Sequence, residues 1–168
     1  MMIFWNNKMR LAALATAAFL FGCTSLYVEP TTGSLATLEF VNESSDGITA
    51  TIYKVAKGCR DRSFLLIKGG TARTDVAIAA GGQFAMTVIV GIAQGPQFYS
   101  ACTDTVTFPV VEGKKYLYFF RRDGEVCSSK ITEAVTINGE THEGTPIPVV
   151  RRTFKSAVWS EAGPWCDE

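Results

Sequence analysis

A single histidine, His142, bounds the catalysis open to this chain. A Ser-His-Asp triad must be built on it or not exist. It stands in "NGETHEG", between Glu140 and Glu143 and beside an Asn-Gly turn signal. Three ligands on one loop lack the fixed geometry and supporting hydrogen bonds that a metal ion requires. We expect His142 to be an exposed loop residue and expect no metal site. The 16 acidic residues are scattered, mostly at turns: Glu43, Asp46, Asp61, Asp104, Asp123 and Glu125 among them. A glycan hydrolase needs two carboxyls about 5–10 Å apart across a cleft. Such a pair is the enzymatic alternative, and the spacing picks out no candidate for it. Gly69-Gly70 and Gly81-Gly82 lack the strand–helix setting of a phosphate-binding loop, so they read as turns.

Arginine forks suit phosphates and carboxylates. Three clusters carry them: Arg60 with Arg62, Arg121 with Arg122, and Arg151 with Arg152. These six are the candidate contacts for an anion or partner. Adjacent residues of a strand point to opposite faces, so each neighbouring pair offers one outward charge at most. The plainer expectation is solvated charge that blunts sheet edges. Lys+Arg and Asp+Glu are equal at 16 each, and the basic footprint of a nucleic-acid partner is missing.

The positioning elements read as strands. "SLATLEFV" alternates, with Ala36, Leu38 and Phe40 on one face and Thr37 and Glu39 on the other. "ITATIYKVA" is rich in β-branched and aromatic types. "QFAMTVIVGIA" puts Phe84, Met86, Val88 and Val90 on one side. Asp46-Gly47, Asp123-Gly124 and Asn138-Gly139 are hairpin signals. Pro109 is expected to end the pairing of the strand that carries Cys102. "VVEGKKY" resembles a tyrosine corner, in which the Tyr116 hydroxyl would satisfy a backbone group at a crossover between sheets. Hardly any window carries a helical stripe; "DVAIAAGG" offers one helical turn or two before its glycines end it. Short strands with frequent turns predict an all-β, Greek-key-like sandwich over residues 35–168, of the immunoglobulin-like or transthyretin-like kind. Phe40, Ile52, Val88 and Tyr116 are its expected core.

Of five cysteines, Cys59, Cys102, Cys127 and Cys166 form an even set without a Cys-x-x-Cys pair. In an oxidising compartment that reads as two disulfides rather than a zinc or thioredoxin site. If Cys102 and Cys127 flank "KKYLYFF" in one sheet, they lie two strands apart, about 10 Å. A bridge needs Cα atoms within about 7 Å. This meander placement excludes Cys102–Cys127 and with it Cys59–Cys166. Of the two pairings left, it favours Cys59–Cys102 with Cys127–Cys166.

The fifth cysteine ends a different pattern. Lys8 and Arg10 precede the apolar run "LAALATAAFLFGC". Its length falls within the roughly 7–15 residues of a secretory signal and short of the about 20 that span a bilayer. Leu20-Phe21-Gly22-Cys23 resembles the lipobox of bacterial lipoproteins. The resemblance implies cleavage before Cys23, and diacylglycerol and N-acyl chains on the new N-terminus. It also implies attachment to the outer membrane of a Gram-negative bacterium, facing the periplasm, since Thr24 replaces the aspartate that retains such proteins inside. No other cofactor is expected. Residues 1–22 would be signal peptide and residues 23–34 a lipidated polar tether. In a bacterial chain, the acceptor-like Asn42-Glu43-Ser44 is coincidence.

The expectation that follows is a non-catalytic binding or structural module of the cell envelope. It is held to the membrane by lipid and contacts another envelope protein or a glycan. In size, anchoring and all-β character it looks similar to the small lipidated sandwich of type VI secretion systems, an analogy of fold rather than of motif. A secretion-system accessory or a hydrolase inhibitor would be a narrower form of the same role. The carboxylate-dependent enzyme remains the alternative from another class.

Overall fold

A computed structural model describes residues 25–70, 72–94, 97–124, 126–155 and 163–167. Cys23 and the apolar run before it lie outside these residues.

The described residues form ten strands: β1 (Leu35–Asn42), β2 (Ile48–Val55), β3 (Arg60–Ile67), β4 (Ala72–Ala79), β5 (Gly82–Gln94), β6 (Gln97–Val110), β7 (Lys115–Asp123), β8 (Val126–Ile137), β9 (Glu140–Pro146) and β10 (Val150–Arg152). They make two five-stranded sheets packed as a sandwich, ordered β4-β1-β7-β8-β9 and β10-β6-β5-β2-β3. β1 runs parallel to β7, and the other sheet pairings are antiparallel.

Alternation assigns the faces as expected. Leu38 and Phe40 of β1, Ile52 of β2, Met86 and Val88 of β5, and Tyr116 and Tyr118 of β7 are all buried in the inter-sheet core. Phe40 meets Tyr118 edge to face, with ring centroids 5.8 Å apart. The Val111 N–H donates to the Tyr116 hydroxyl at 2.9 Å, where the chain passes from β6 in one sheet to β7 in the other. That is the expected tyrosine corner.

Two hairpin signals close hairpins. Asn138 and Gly139 both have positive φ, at 54° and 83°, between the paired residues Ile137 and Glu140. This is the backbone that a two-residue loop between twisted strands favours. Asp123-Gly124 turns β7 into β8. The third signal does something else. Asp46-Gly47 links β1 to β2 in the opposite sheet, and neither residue has positive φ. This crossover is held by Asn42, whose side chain is wholly buried. Its amide donates to the Asp46 carbonyl at 2.7 Å and the Lys68 carbonyl at 3.0 Å. Its oxygen accepts from the Ser44 N–H at 3.1 Å and hydroxyl at 2.7 Å. The turn after β3 packs so close that a Cβ on Gly69 would stand 2.2 Å from the Ser45 carbonyl oxygen. Pro109 does not end β6, which continues to Val110. β10 pairs only with Thr105–Thr107, so Pro109 lies past the segment that needs an N–H on that side.

The disulfides are Cys59–Cys166 and Cys102–Cys127, the pairing that the meander placement excluded. β6 does not lie beside β7. The chain crosses between sheets after Val110, so Cys102 on β6 and Cys127 on β8 meet across the sandwich instead of flanking β7. Cys59, at positive φ in the β2–β3 turn, pins the C-terminal segment to the outer face of its sheet. Trp165, Cys166, Tyr53 and Ala85 form a second small core there, with Phe154 packed against it.

Candidate functional site

The arginine clusters resolve into ties within the fold and a few outward charges. Arg122 donates to Asp46 at 2.6 Å and to the Gly124 carbonyl at 2.7 Å, fastening the β7–β8 turn to the β1–β2 crossover. Arg152 donates to the Thr107 hydroxyl at 2.9 Å and the Asp167 carbonyl at 3.0 Å, fastening the C-terminal segment. The Arg62 guanidinium lies 3.7 Å from the centre of the Trp165 ring. Arg151 bonds Asp104 and the Ser129 carbonyl, the latter at 2.9 Å. Arg60 and Arg121 are exposed. In both neighbouring pairs the two arginines take opposite sides of their strand.

Asp104 organises one candidate site. It projects from β6 toward the other sheet, just beyond the Cys102–Cys127 bridge. The Tyr118 hydroxyl donates to its carboxylate at 2.9 Å, the Ser129 hydroxyl at 2.5 Å, and Arg151 completes the cluster. Burial, and then the Asp104 charge, push the Tyr118 phenol well above its ordinary range, so it stays a donor. A polar cleft of about 340 Å³ opens here between Thr103, Phe120, Ser128 and Arg151. Asp104 was legible in the sequence only as one scattered acid. A lone carboxylate in a strand gives no sign of the tyrosine and arginine that the other elements bring to it.

A second polar network lies on the outer face of the first sheet. Glu39 of β1 is paired in register with Asp75 of β4. Lys115 of β7 reaches Glu39 at 2.7 Å and Asp75 at 3.2 Å, and Arg73 reaches Glu39 at 2.5 Å. Burial alone would raise the Glu39 carboxyl, but hydrogen bonds from Lys115 and Arg73 outweigh it and hold the group below its ordinary value. These two acids are register neighbours that share Lys115. They sit on a sheet face, each bound by a base.

The larger cleft, about 660 Å³, opens at the seam between the two edge strands β3 and β4. The chain before β1 builds one wall. Ser25 and Tyr27 pair with Phe64 of β3, at 3.0 Å for Phe64 N–H to Ser25 carbonyl and 2.8 Å for Tyr27 N–H to Phe64 carbonyl. The Tyr27 hydroxyl donates to the Ala77 carbonyl of β4 at 2.6 Å, and the Ala77 N–H donates to Glu29 at 2.7 Å. Burial, then the Glu29 charge, push the Tyr27 phenol up to about 12. The stretch expected as a loose polar tether is thus bound to both sheets over Ser25–Glu29. Leu26, Val28, Ile52 and Phe84 line the cleft, with Lys54 and Arg62 beside them. Asp61 lines it too, so the charged rim is mixed while the apolar walls suit apolar matter.

His142 lies on the exposed edge strand β9 rather than in a loop. Its nearest acid is Glu140, at 3.9 Å. Among the described residues, no group of histidine, cysteine and acidic side chains is placed to hold a metal ion. Asn42, the acceptor-like asparagine, is buried with its amide fully engaged. No protein-family model matches the chain, and no curated protein matches it at a significant level.

Proposed function

We propose that this chain is a lipid-anchored module of the bacterial cell envelope, acylated at Cys23 and facing the periplasm from the outer membrane. Its role is to bind or brace another envelope protein or a glycan. The observation that carries this reading is the ordered succession of basic residues, short apolar run and Leu20-Phe21-Gly22-Cys23. Two disulfides suit an oxidising compartment. The polar cleft around Asp104 is a surface available for a partner.

Attachment follows from acyl chemistry. Each buried CH₂ contributes about 0.8 kcal/mol, so one chain holds a protein marginally and several hold it stably. The test is Cys23→Ser in the producing cell, with palmitate labelling and fractionation. Loss of label, with release or stalling of the protein, supports the anchor. A variant that stays membrane-bound through high-salt and carbonate washes makes the segment an ordinary anchor and overturns the reading.

A further inference from the structure

The anchor has almost no slack. Ser25 is fixed to β3, its carbonyl accepting from the Phe64 N–H and its hydroxyl donating to the Arg62 carbonyl, both at 3.0 Å. Two residues of extended chain reach about 7 Å at most. A lipid on Cys23 would therefore begin within about 7 Å of Ser25, which would bring the β3 edge close to the bilayer surface.

The chemistry of the surface matches. Leu26 bridges Phe64 in parallel register, so their side chains share one side of the strand pair. Leu66 lies two residues along β3 on that same side. Leu26, Val28 and Leu66 are 71%, 82% and 73% exposed. These are large apolar side chains turned to solvent beside the point where the lipid would leave the protein. Next to them, the end of β2, the turn and the start of β3 carry Lys54, Lys57, Arg60 and Arg62 against one acid, Asp61, with Arg62 stacked on Trp165. Basic residues near an anionic lipid surface are attracted to it.

We propose that the face formed by Leu26, Val28 and Leu66, flanked by this basic turn, lies in the interfacial region of an anionic bilayer. It fixes the domain in one orientation, with β8 and β9 turned away. The proposal rests on acylation of Cys23. It replaces a domain swinging on a tether with one seated on the membrane.

The full-length acylated protein is tested in phosphatidylethanolamine vesicles containing phosphatidylglycerol. Spin labels are placed singly at Leu66→Cys, at Val28→Cys, and at Val135→Cys on the far sheet as control. Collision with oxygen is compared with collision with a water-soluble nickel chelate. The oxygen-to-nickel ratio should rise several-fold on vesicle binding at 66 and 28 and stay at its solution value at 135. Mass spectrometry of the Cys23 peptide on the same sample separates the outcomes. An acylated protein whose labels at 66 and 28 remain aqueous overturns the seating and leaves the anchor intact. An unmodified Cys23 overturns both. Labels that become shielded from both reagents only when envelope proteins are added would assign the face to a protein partner, and so contradict the proposal.

Discussion

Cys102 on β6 and Cys127 on β8 face one another across the sandwich with Cα atoms 6.2 Å apart, although only 25 residues separate them. The link clamps the two sheets at the end of the core where Asp104, Tyr118 and Ser129 also meet. Cys59–Cys166 closes a loop of 107 residues and holds the C-terminal segment on the outer face. In the chain-entropy model the longer loop contributes about 4.8 kcal/mol and the shorter about 3.5 kcal/mol. Paired serine substitutions at 59 and 166 should therefore lower stability more than those at 102 and 127. Non-reducing peptide mapping should recover these two links. A Cys59–Cys102 peptide would contradict the strand placement.

Phe40 and Thr37 report the register of β1. Phe40 is fully buried against Tyr118, and Thr37 lies on the opposite face. Phe40→Ala should cost about 3–5 kcal/mol, and Thr37→Ala about 0.5 kcal/mol or less. Equal unfolding midpoints in urea would mean that the strand is turned over.

Asn42 makes the β1–β2 crossover. Asn42→Ala leaves the Asp46 and Lys68 carbonyls and the Ser44 N–H without their partner. Stranding buried polar groups should cost about 2–3 kcal/mol. Urea titration checks this. A neutral substitution would show that the loop finds other partners.

Glu39 sets an acid sensitivity. Its folded-state pKa lies below its ordinary value of 4.5. The stability it contributes is thus fully present above that value and is lost as pH falls through the folded-state pKa. The stability gap between the wild type and Glu39→Gln should be widest above pH 4.5 and close toward lower pH. A gap that is constant with pH would mean that the carboxylate gains nothing from Lys115 and Arg73.

Legibility in the sequence followed the range of the interaction. Faces were readable because alternation is local: Phe84, Met86, Val88 and Val90 are all buried on one side of β5. Asn138-Gly139 was readable because a two-residue hairpin is decided by its own two φ angles. Asp46-Gly47 is a turn signal of the same kind, but its flanking strands join different sheets, a choice made by packing at long range. The same blindness misplaced β6 beside β7 and inverted the disulfide pairing. Tyr116 was found because its partner, Val111, is five residues away. Asp104 was missed as a site because Tyr118, Ser129 and Arg151 come from three other strands. The docked Ser25–Glu29 segment was missed because its composition is that of a linker, and each of its bonds to β3 and β4 uses a backbone group of those strands that side-chain types do not announce.

Everything proposed for this chain rests on a mature N-terminus at a lipid-bearing Cys23. Mass spectrometry of the N-terminal peptide from the protein in its native envelope tests it most directly. The account predicts a peptide that starts at Cys23 and carries diacylglycerol and an N-acyl chain. A peptide that starts elsewhere, or an unmodified Cys23, would contradict it.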